Sequence, residues 1–351
     1  MRPITIKDIA KAASVSYATV SRALNGKYGV NEATRERIVR LAEELGYTPN
    51  AIARGLVSSR THTIGLILPD ITNPFYPEVA GGIEDAAAVR GWGVLLCNTN
   101  WDPEREERYL RLLTERRVDG IIISPVSGQS RATREGIDGL PIPVVYVAKA
   151  PKRSRRSCVT IDDVRGGYLA TKHLIDEGFR EIGFIGADTE SSVDDRLIGF
   201  REAHAEAGIP VQEQWIWLED FRSETGYRTV RRSIEAGSYP RAIFAENDLL
   251  AVGAIQGIRE QGLRVPEDIA VVGFDDIPVA SLQDVQLTTV AQPKREMGRI
   301  AAELLFDAML DEGAGFTTAG TPGPNRVVLE PELIVRRSSR AVGAVDNATR
   351  A

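Results

Sequence analysis

The chain has 351 residues, with 43 Lys and Arg against 49 Asp and Glu, so its formal net charge is −6. Its 43% of hydrophobic and 26% of charged residues are ordinary for a globular protein and exclude wholesale disorder. No apolar run approaches the ~20 residues of a membrane helix, and the first residues lack a secretory signal. The two cysteines, Cys97 and Cys158, cannot form a disulfide framework. We expect a cytoplasmic protein of two or three domains.

The charge is unevenly distributed along the chain. Residues 1–60 contain ten Lys and Arg but five Asp and Glu, which gives +5 there and −11 for the rest. A basic head on an acidic body suggests an anionic partner for the head. A solvated basic surface is the alternative, and charge alone does not decide between the two.

The head has the pattern of three short helices. Thr5 with Asp8, Ser16 and Asn31 are suitable N-cap residues for these helices. A short break at residues 13–15 separates the first two helices, as in a helix-turn-helix that reads the major groove. In the second helix, predicted over 17–24, one exposed face is formed by Tyr17, Ala18, Ser21 and Arg22.

Three segments of the head carry a family resemblance. Residues 5–10 (TIKDIA), 15–22 (VSYATVSR) and 45–50 (LGYTPN) resemble the head of the lac repressor/galactose repressor family. The match spans residues 4–60 and continues through the body, so it is far more specific than a lone helix-turn-helix. The resemblance implies a sequence-specific transcriptional regulator, most simply a repressor, that binds a near-palindromic DNA operator as a homodimer.

The resemblance also gives the exposed residues of the head their roles. Tyr17, Ala18 and Arg22 would face base edges, where Arg22 can bind guanine O6 and N7 in a bidentate manner and Ala18 offers apolar contact only. The alternatives are a plain surface arginine at position 22 and helix capping by Ser16 and Thr19. The expected contacts to the DNA backbone are Thr5, Ser16, Thr19, Ser21, Asn25, Thr34, Tyr47 and Asn50.

Residues 50–61 are predicted to be a hinge helix and linker. So short a helix is marginal alone, so we expect it to form when two copies pair over DNA. In the family the hinge enters the minor groove, where Ala53 would lie and Leu56 would wedge between base steps. The alternative for Leu56 is packing against the body.

The body is predicted to be an α/β module with two lobes. From Thr63, short apolar strands alternate with helices, and the same alternating pattern begins again near residue 161. Repeated βα units imply parallel sheets covered on both faces. The expected fold is a three-helix head plus a body like periplasmic binding proteins, with two Rossmann-like lobes around a cleft. The predicted divisions are 1–49 (head), 50–61 (hinge), 62–160 with 291–324 (first lobe), 161–290 with 325–340 (second lobe) and 341–351 (tail).

Polar and aromatic residues at the predicted strand ends are candidates for ligand contacts, because ligands of open α/β sheets bind there. By the resemblance, Arg196, Asn247 and Asp275 would hydrogen-bond the hydroxyls of a small-molecule effector, and Phe221 would stack on its ring. Helix capping and bonds between the lobes are the alternatives. Further candidates in the same cleft are Asn73, Phe75, Trp101, Lys149 and Gln292.

One position departs from the family pattern. After the strand over 144–147, sugar-responsive members usually place an acid followed by Arg, but this chain has Ala148 and Lys149. We expect a neutral sugar, because Arg196, Asn247 and Asp275 are present. An effector with a carboxylate or phosphate is the alternative if Lys149 faces the cleft, and Lys149 could equally point to solvent.

Enzyme and other binding functions find less support in the sequence. The chain has no GxxxxGK[ST] loop and no GxGxxG after a strand, and its three histidines and two cysteines have no metal-ligand spacing. We expect no cofactor, no metal and no membrane partner. The rival class is an exported solute-binding protein of the same fold, which would lack the basic head. The segment 338–351 has no leucine heptads, which argues against a coiled-coil tetramer.

Overall fold

The structure is a computed structural model that describes residues 4–24, 28–47, 60–126, 131–151, 154–187, 195–313 and 324–340. The chain divides into two compact units, Met1–His62 and Thr63–Ala351. In these described ranges no helix is both long and apolar enough to cross a lipid bilayer. Residues 50–59 of the predicted hinge (50–61) and the predicted tail over 341–351 lie outside the described residues.

The head unit contains three helices, α1 (Ile6–Ala12), α2 (Tyr17–Leu24) and α3 (Glu32–Glu44). Their N-termini are capped at the predicted positions. The Asp8 carboxylate accepts from the Thr5 N–H (2.8 Å) and hydroxyl (2.6 Å), and Ser16 Oγ accepts from the Thr19 N–H (3.1 Å). For α3, Asn31 Oδ1 accepts from the Thr34 N–H at 2.8 Å.

A small apolar core holds the three helices together. Ile9, Val20 and Ile38, one from each helix, are completely buried. Arg37 of α3 donates to the Ala13 carbonyl at 3.1 Å, which ties the third helix to the turn between the first two. The core therefore consists of the positions that helical periodicity turns inward: Ile9, Ala13, Val20, Ala23, Ile38 and Ala42.

The body unit alternates strands and helices, as the sequence predicts. Its strands are β1 (Thr63–Leu68), β2 (Gly93–Asn98), β3 (Gly120–Ile123), β4 (Val144–Ala148), β5 (Ser157–Ile161), β6 (Ile182–Ala187), β7 (Ile216–Glu219), β8 (Ala242–Ala245), β9 (Ala270–Asp275), β10 (Thr288–Ala291), β11 (Arg326–Leu329) and β12 (Glu332–Ile334). Its helices are α4 (Phe75–Val89), α5 (Pro103–Glu115), α6 (Arg131–Asp138), α7 (Asp163–Asp176), α8 (Asp195–Glu206), α9 (Ser223–Glu235), α10 (Asp248–Glu260) and α11 (Lys294–Gly313).

These strands form two sheets of six strands each. The order in the first lobe is β11-β5-β4-β3-β1-β2 and in the second lobe β12-β10-β9-β8-β6-β7. The first sheet is parallel throughout. The second is parallel except that β12 runs antiparallel to β10, which the repeated βα pattern does not predict. Fully apolar strands such as β3 and β6 are buried on both faces because helices cover both sides of the sheet.

One predicted lobe boundary is wrong. The strand Arg326–Leu329, assigned from the sequence to the second lobe, pairs with β5 of the first sheet. The chain changes lobes between β11 and β12, two short strands that only two residues separate. Both strands are short and partly exposed, so local pattern does not say which sheet each one joins. In the described residues the chain passes between the sheets at three places: after β5, after β10 and after β11.

The helices that cover the sheets include three pairs whose backbones touch where they cross, and glycines at the crossing points allow this close approach. A Cβ atom at Gly167 of α7 would lie 2.1 Å from the Arg196 carbonyl oxygen, and one at Gly199 of α8 would lie 2.0 Å from the Val164 carbonyl oxygen. Such distances leave no room for any side chain. The same reciprocal arrangement joins α9 to α10 through Gly226 and Gly253, and α4 to α11 through Gly82 and Gly298.

Candidate functional site

The predicted ligand residues meet in one cleft between the two lobes. All nine line the same small cavity, at the carboxyl ends of the strands, as expected for open α/β sheets. The centres of water molecules can occupy about 30 Å³ of the cavity, which is room for a few waters only, and Trp101 and Phe221 of the two lobes are in contact across it. Tyr76 and Glu246 also line the cavity and were not predicted from the sequence, and Ala148, already noted as a departure from the family pattern, lines it as well.

Arg196 is buried and held from two sides. It lies in the first turn of α8 and is 8% exposed. Its Nε donates to Asp163 Oδ1 at 2.7 Å, and its Nη1 donates to the carbonyl oxygen of Glu246. The guanidinium also stacks 3.6 Å from the ring centroid of Phe274. The arginine is therefore a rigid donor, positioned before any ligand arrives.

Asp275 lies opposite Arg196, at the end of β9. Its Oδ1 is 4.0 Å from Arg196 Nη1 and accepts a 2.7 Å hydrogen bond from Gln292 Nε2. The Lys294 ammonium donates to the Asp275 carbonyl oxygen at 2.7 Å and fixes the loop. Burial raises the pKa of the Asp275 carboxyl to about 6, although the Arg196 guanidinium, Gln292 and Lys294 act to lower it.

Backbone strain is concentrated around this cleft. Asp275 has φ +109°, Ala148 has φ +64° and Trp101 has φ +61°, and none of them is glycine. Left-handed conformations at such residues cost of order 1–3 kcal/mol each and persist where the surrounding structure imposes them. All three residues line the cavity. The strain aims their side chains and those of their neighbours into the cleft.

The raised pKa of Asp275 leads to a testable change in stability. A carboxyl whose pKa is raised by folding favours the folded state less as pH rises from about 4 to about 6. Asparagine mimics the protonated form and does not titrate. The free energy of unfolding of Asp275→Asn should therefore increase relative to that of wild type as pH rises over that interval. We expect a relative gain of roughly 3 kcal/mol, complete above pH 7, measured by urea unfolding at several pH values. A pH-independent difference would contradict the raised pKa.

Aromatic side chains from the two lobes stack across the cleft. Trp101 of the first lobe lies on Phe221 of the second, with ring centroids 4.5 Å apart and an interplanar angle of 28°. Tyr76 packs edge-on to Trp101 at 6.3 Å. The faces of Trp101 and Phe221 are therefore available to a flat apolar surface once the lobes separate.

The ammonium of Lys149 lies in the cleft, although its side chain is still 37% exposed. Its Nζ is 3.9 Å from Oε1 of Glu246, which belongs to the opposite lobe, and 5.3 Å from the Phe221 ring centroid. Glu246 directly follows β8. Its position at a strand end could have identified Glu246, but the family resemblance pointed to its neighbour Asn247 instead.

Two of the predicted ligand amides also have structural roles. Asn247 Oδ1 accepts from the Leu250 N–H at 2.8 Å and caps α10, while its Nδ2 donates to the Phe221 carbonyl at 3.3 Å. Asn73 Oδ1 accepts from the Phe75 N–H at 3.0 Å. Helix capping, the alternative stated for these strand-end residues, is thus observed at Asn247, although both side chains still line the cavity.

A larger groove of about 390 Å³ lies between α5 and α6 of the first lobe. Its lining includes Leu110, Ile137 and Leu140. The polar Glu107 there binds Arg111 at 3.2 Å and Thr133 at 3.0 Å. These polar groups satisfy each other, so the smaller interlobe cavity, where charged groups converge, is the better candidate ligand site.

In the head unit, the predicted base-reading residues share one exposed face of α2. Tyr17 is 55% exposed, and Ala18 and Arg22 are also exposed. Ser16 and Thr19 form the cap of α2, with their hydroxyls 2.9 Å apart, as the capping alternative states. The half-buried Tyr47 packs against the head core. Thr5, Ser21 and Thr34 are half-buried as well, and Asn25, Asn50, Ala53 and Leu56 lie outside the described residues.

Comparisons with known proteins agree with this arrangement. Residues 5–50 match the family model described as bacterial regulatory proteins, lacI family. Residues 171–339 match the model of a periplasmic binding protein-like domain. The match of the head disfavours the rival class of solute-binding proteins, which lack such a head.

Related proteins resemble the chain over nearly its whole length. The HTH-type transcriptional regulator DegA of Bacillus subtilis (strain 168) is 39% identical over 95% of this chain and 98% of its own. The solved complex of the transcriptional regulator CelR with cellobiose is 33% identical, with a TM-score of 0.70, over 95% and 99% of the two chains. The lac repressor dimer bound to operator and the anti-inducer ONPF is 26% identical, with a TM-score of 0.83, over 96% and 99%.

These relatives are named as regulators, which confirms the prediction that the chain is not an enzyme. They also confirm the resemblance carried by the three head segments and the two-lobed fold of the body. The chain belongs to the lacI family of bacterial regulatory proteins and is a DNA-binding transcriptional regulator.

Proposed function

We propose that the protein is a repressor that binds a near-palindromic operator as a homodimer and responds to a small neutral carbohydrate. A carbohydrate ligand is supported by one observation: Arg196, Asp275 and Gln292 converge beside the facing rings of Trp101 and Phe221. A regulator with this role acts where the DNA is, so we propose a cytoplasmic location.

The chemistry of the cleft fits a sugar. Each hydroxyl both donates and accepts, so a carboxylate and a guanidinium side by side, as in Asp275 and Arg196, suit neighbouring hydroxyls. The stacked rings of Trp101 and Phe221 suit the apolar face of a sugar ring. The cellobiose named in the CelR complex supports the same ligand class.

The alternative is an anionic effector, such as a sugar acid or a sugar phosphate. The observation in its favour is Lys149, whose ammonium lies in the cleft. However, Lys149 is 3.9 Å from the carboxylate of Glu246. The lining cations Lys149 and Arg196 therefore face two lining carboxylates, Glu246 and Asp275, which favours a neutral ligand.

Exposed apolar side chains on the first lobe support a homodimer. Leu95 and Leu96 of the edge strand β2 are 44% and 47% exposed, and Val89 at the end of α4 is 86% exposed. An uncovered apolar edge strand is a site where another chain pairs or packs. The lac repressor structure, which is named as a dimer bound to operator, supports a second copy of this chain as that partner.

The proposed mechanism couples the cleft to the head. Ligand changes the angle of the two lobes about the three connections after β5, β10 and β11, which serve as hinges. In a dimer this moves the first lobes and thereby permits or prevents pairing of the hinge segments, in which Ala53 and Leu56 would enter the minor groove. Couplings of this kind are about 1–3 kcal/mol, and the favoured lobe angle decides whether the ligand releases or promotes DNA binding.

The proposal is tested by a thermal-shift screen of sugars, sugar acids and sugar phosphates, followed by operator binding with and without the stabilising compound. We expect a neutral sugar to raise the melting temperature and to change operator affinity. Asp275→Ala should abolish both effects while operator binding persists, and Asp307→Ala on the exposed face of α11 is the matched control. If no compound stabilises the protein and no palindrome outcompetes random duplex, the proposal fails.

A further inference from the structure

We infer that Lys149 and Glu246 form a charge filter that restricts the effector to neutral ligands, with Glu246 in direct contact with the effector. The inference rests on the proposed function of the cleft as a carbohydrate site. It assigns a role to Glu246 and a common role to two side chains that belong to opposite lobes.

The carboxylate of Glu246 is fixed in the second lobe. The residue is completely buried. Its Oε2 accepts a 2.7 Å hydrogen bond from the Ala187 N–H, and its own carbonyl oxygen accepts from Arg196. A Cβ atom at Gly186 would lie 2.6 Å from Oε2, so the glycine lets the backbone approach the carboxylate closely. The second oxygen, Oε1, faces Lys149.

Lys149 is the adaptable member of the pair. Its backbone makes a sharp turn, because Ala148 has φ +64° and the Lys149 N–H donates to the Val147 carbonyl at 2.8 Å. The side chain is 37% exposed, whereas that of Glu246 is inaccessible. When the lobes separate to admit a ligand, the flexible Lys149 side chain can still reach the ligand. The Glu246 carboxylate, in contrast, stays in its buried, hydrogen-bonded position.

The pair selects ligands by charge. A neutral polyol can bridge the two groups, with one hydroxyl donating to Glu246 and another accepting from Lys149. An anionic ligand is attracted by Lys149 but repelled by the buried carboxylate, and charge repulsion is strong where water is excluded. A cationic ligand is attracted by Glu246 but repelled by Lys149 and by Arg196. Removal of either member should therefore shift selectivity towards one sign of charge.

A two-by-two set of variants tests this directly: wild type, Glu246→Gln, Lys149→Met and the double variant. The probes are matched trios of a neutral sugar, its acid and its amine, namely glucose, glucuronate and glucosamine, and galactose, galacturonate and galactosamine. Binding is measured by calorimetry at constant ionic strength. We expect Glu246→Gln to increase the affinity for the acid, relative to the affinity for the neutral sugar, about tenfold. Lys149→Met should increase the relative affinity for the amine by a similar factor. The double variant should show neither gain.

A second measurement needs no ligand. Lys149→Met should lower the melting temperature, because a buried carboxylate loses its cation from the opposite lobe, and adding Glu246→Gln should restore part of the loss. The matched control is the exposed pair Arg231 and Glu235 on α9, 2.8 Å apart, where we expect small effects that are nearly additive. Strict additivity at Lys149 and Glu246 would contradict the pairing and overturn the inference.

The outcomes separate the filter from the proposed function. If neutral sugars stabilise wild type but all four proteins share the same charge preference, the filter is wrong and the carbohydrate site stands. If wild type itself prefers the sugar acid, the filter is wrong and the anionic alternative replaces it. If no sugar derivative of any charge binds wild type or the variants, the proposed carbohydrate site fails, and the filter fails with it.

Discussion

Replacing Arg22 by alanine should remove most of the preference of the protein for its operator over random duplex. A bidentate contact between arginine and guanine contributes about 1–3 kcal/mol of discrimination, and a dimer would use two copies of Arg22. We therefore expect a loss of roughly 30-fold to 10⁴-fold in the ratio of the two affinities. The exposed position of Arg22 on α2 means that the head itself should remain folded.

The measurement is fluorescence anisotropy with operator and scrambled duplexes at several salt concentrations. Residual binding by Arg22→Ala should stay salt-sensitive, because the other cations of the head still release counterions from DNA. Arg40→Ala is the charge-matched control: Arg40 is 69% exposed on α3 and lies 3.9 Å from Glu36. The Arg40→Ala change should weaken binding to the operator and to the scrambled duplex by the same factor. Selectivity that survives in Arg22→Ala would refute base reading by this residue.

Replacing Gly167 by alanine should destabilise the second lobe severely. The added Cβ would lie 2.1 Å from the Arg196 carbonyl oxygen, on a helix that itself meets α7 through Gly199. Overpacking commonly costs about 1–3 kcal/mol, and here the obstacle is backbone that cannot rotate away. We expect a loss of about 3 kcal/mol or more in the free energy of unfolding, and roughly 6–12 °C in melting temperature.

The variant should also weaken effector binding, because the helix that α7 would push away carries Arg196 in its first turn. Calorimetric unfolding and the thermal-shift response to the stabilising sugar measure the two effects. Gly136→Ala in α6 is the control, since no described residue outside its own stretch of helix has an atom within 4 Å of the added Cβ. That change should stabilise the protein by up to about 1 kcal/mol, from helix propensity alone. Similar destabilisation by both variants would contradict the close-packing explanation.

Local sequence was sufficient for the head. Its helices begin directly after Thr5, Ser16 and Asn31. Ser16 and Asn31 accept from the N–H groups three residues ahead, and the Asp8 carboxylate accepts from the N–H of Thr5, so each cap is an interaction over three residues. Helical spacing also accounts for the buried positions of Ile9 and Val20 on the inner faces of their helices. No long-range information is needed for such interactions.

The candidate cleft was predictable in part. Strand-end position together with the family resemblance identified nine residues that line one cavity. Glu246 was missed, although it follows β8 directly, because sequence position does not show which strand-end side chain turns inward. Its partner Lys149 is 97 positions away in the chain, and only the closure of two lobes brings their charges to 3.9 Å.

The sequence by itself determined the capped helices of the head, the alternation of strands and helices in the body, and the family to which the chain belongs. These properties depend on neighbours within a few residues or on recurring motifs. Only the tertiary structure decided that Arg326–Leu329 joins the first sheet, that Gly167 and Gly199 hold two helices in backbone contact, and that Glu246 opposes Lys149. Each of these depends on contacts between segments far apart in the chain, whose geometry follows from packing of the whole body and not from local pattern.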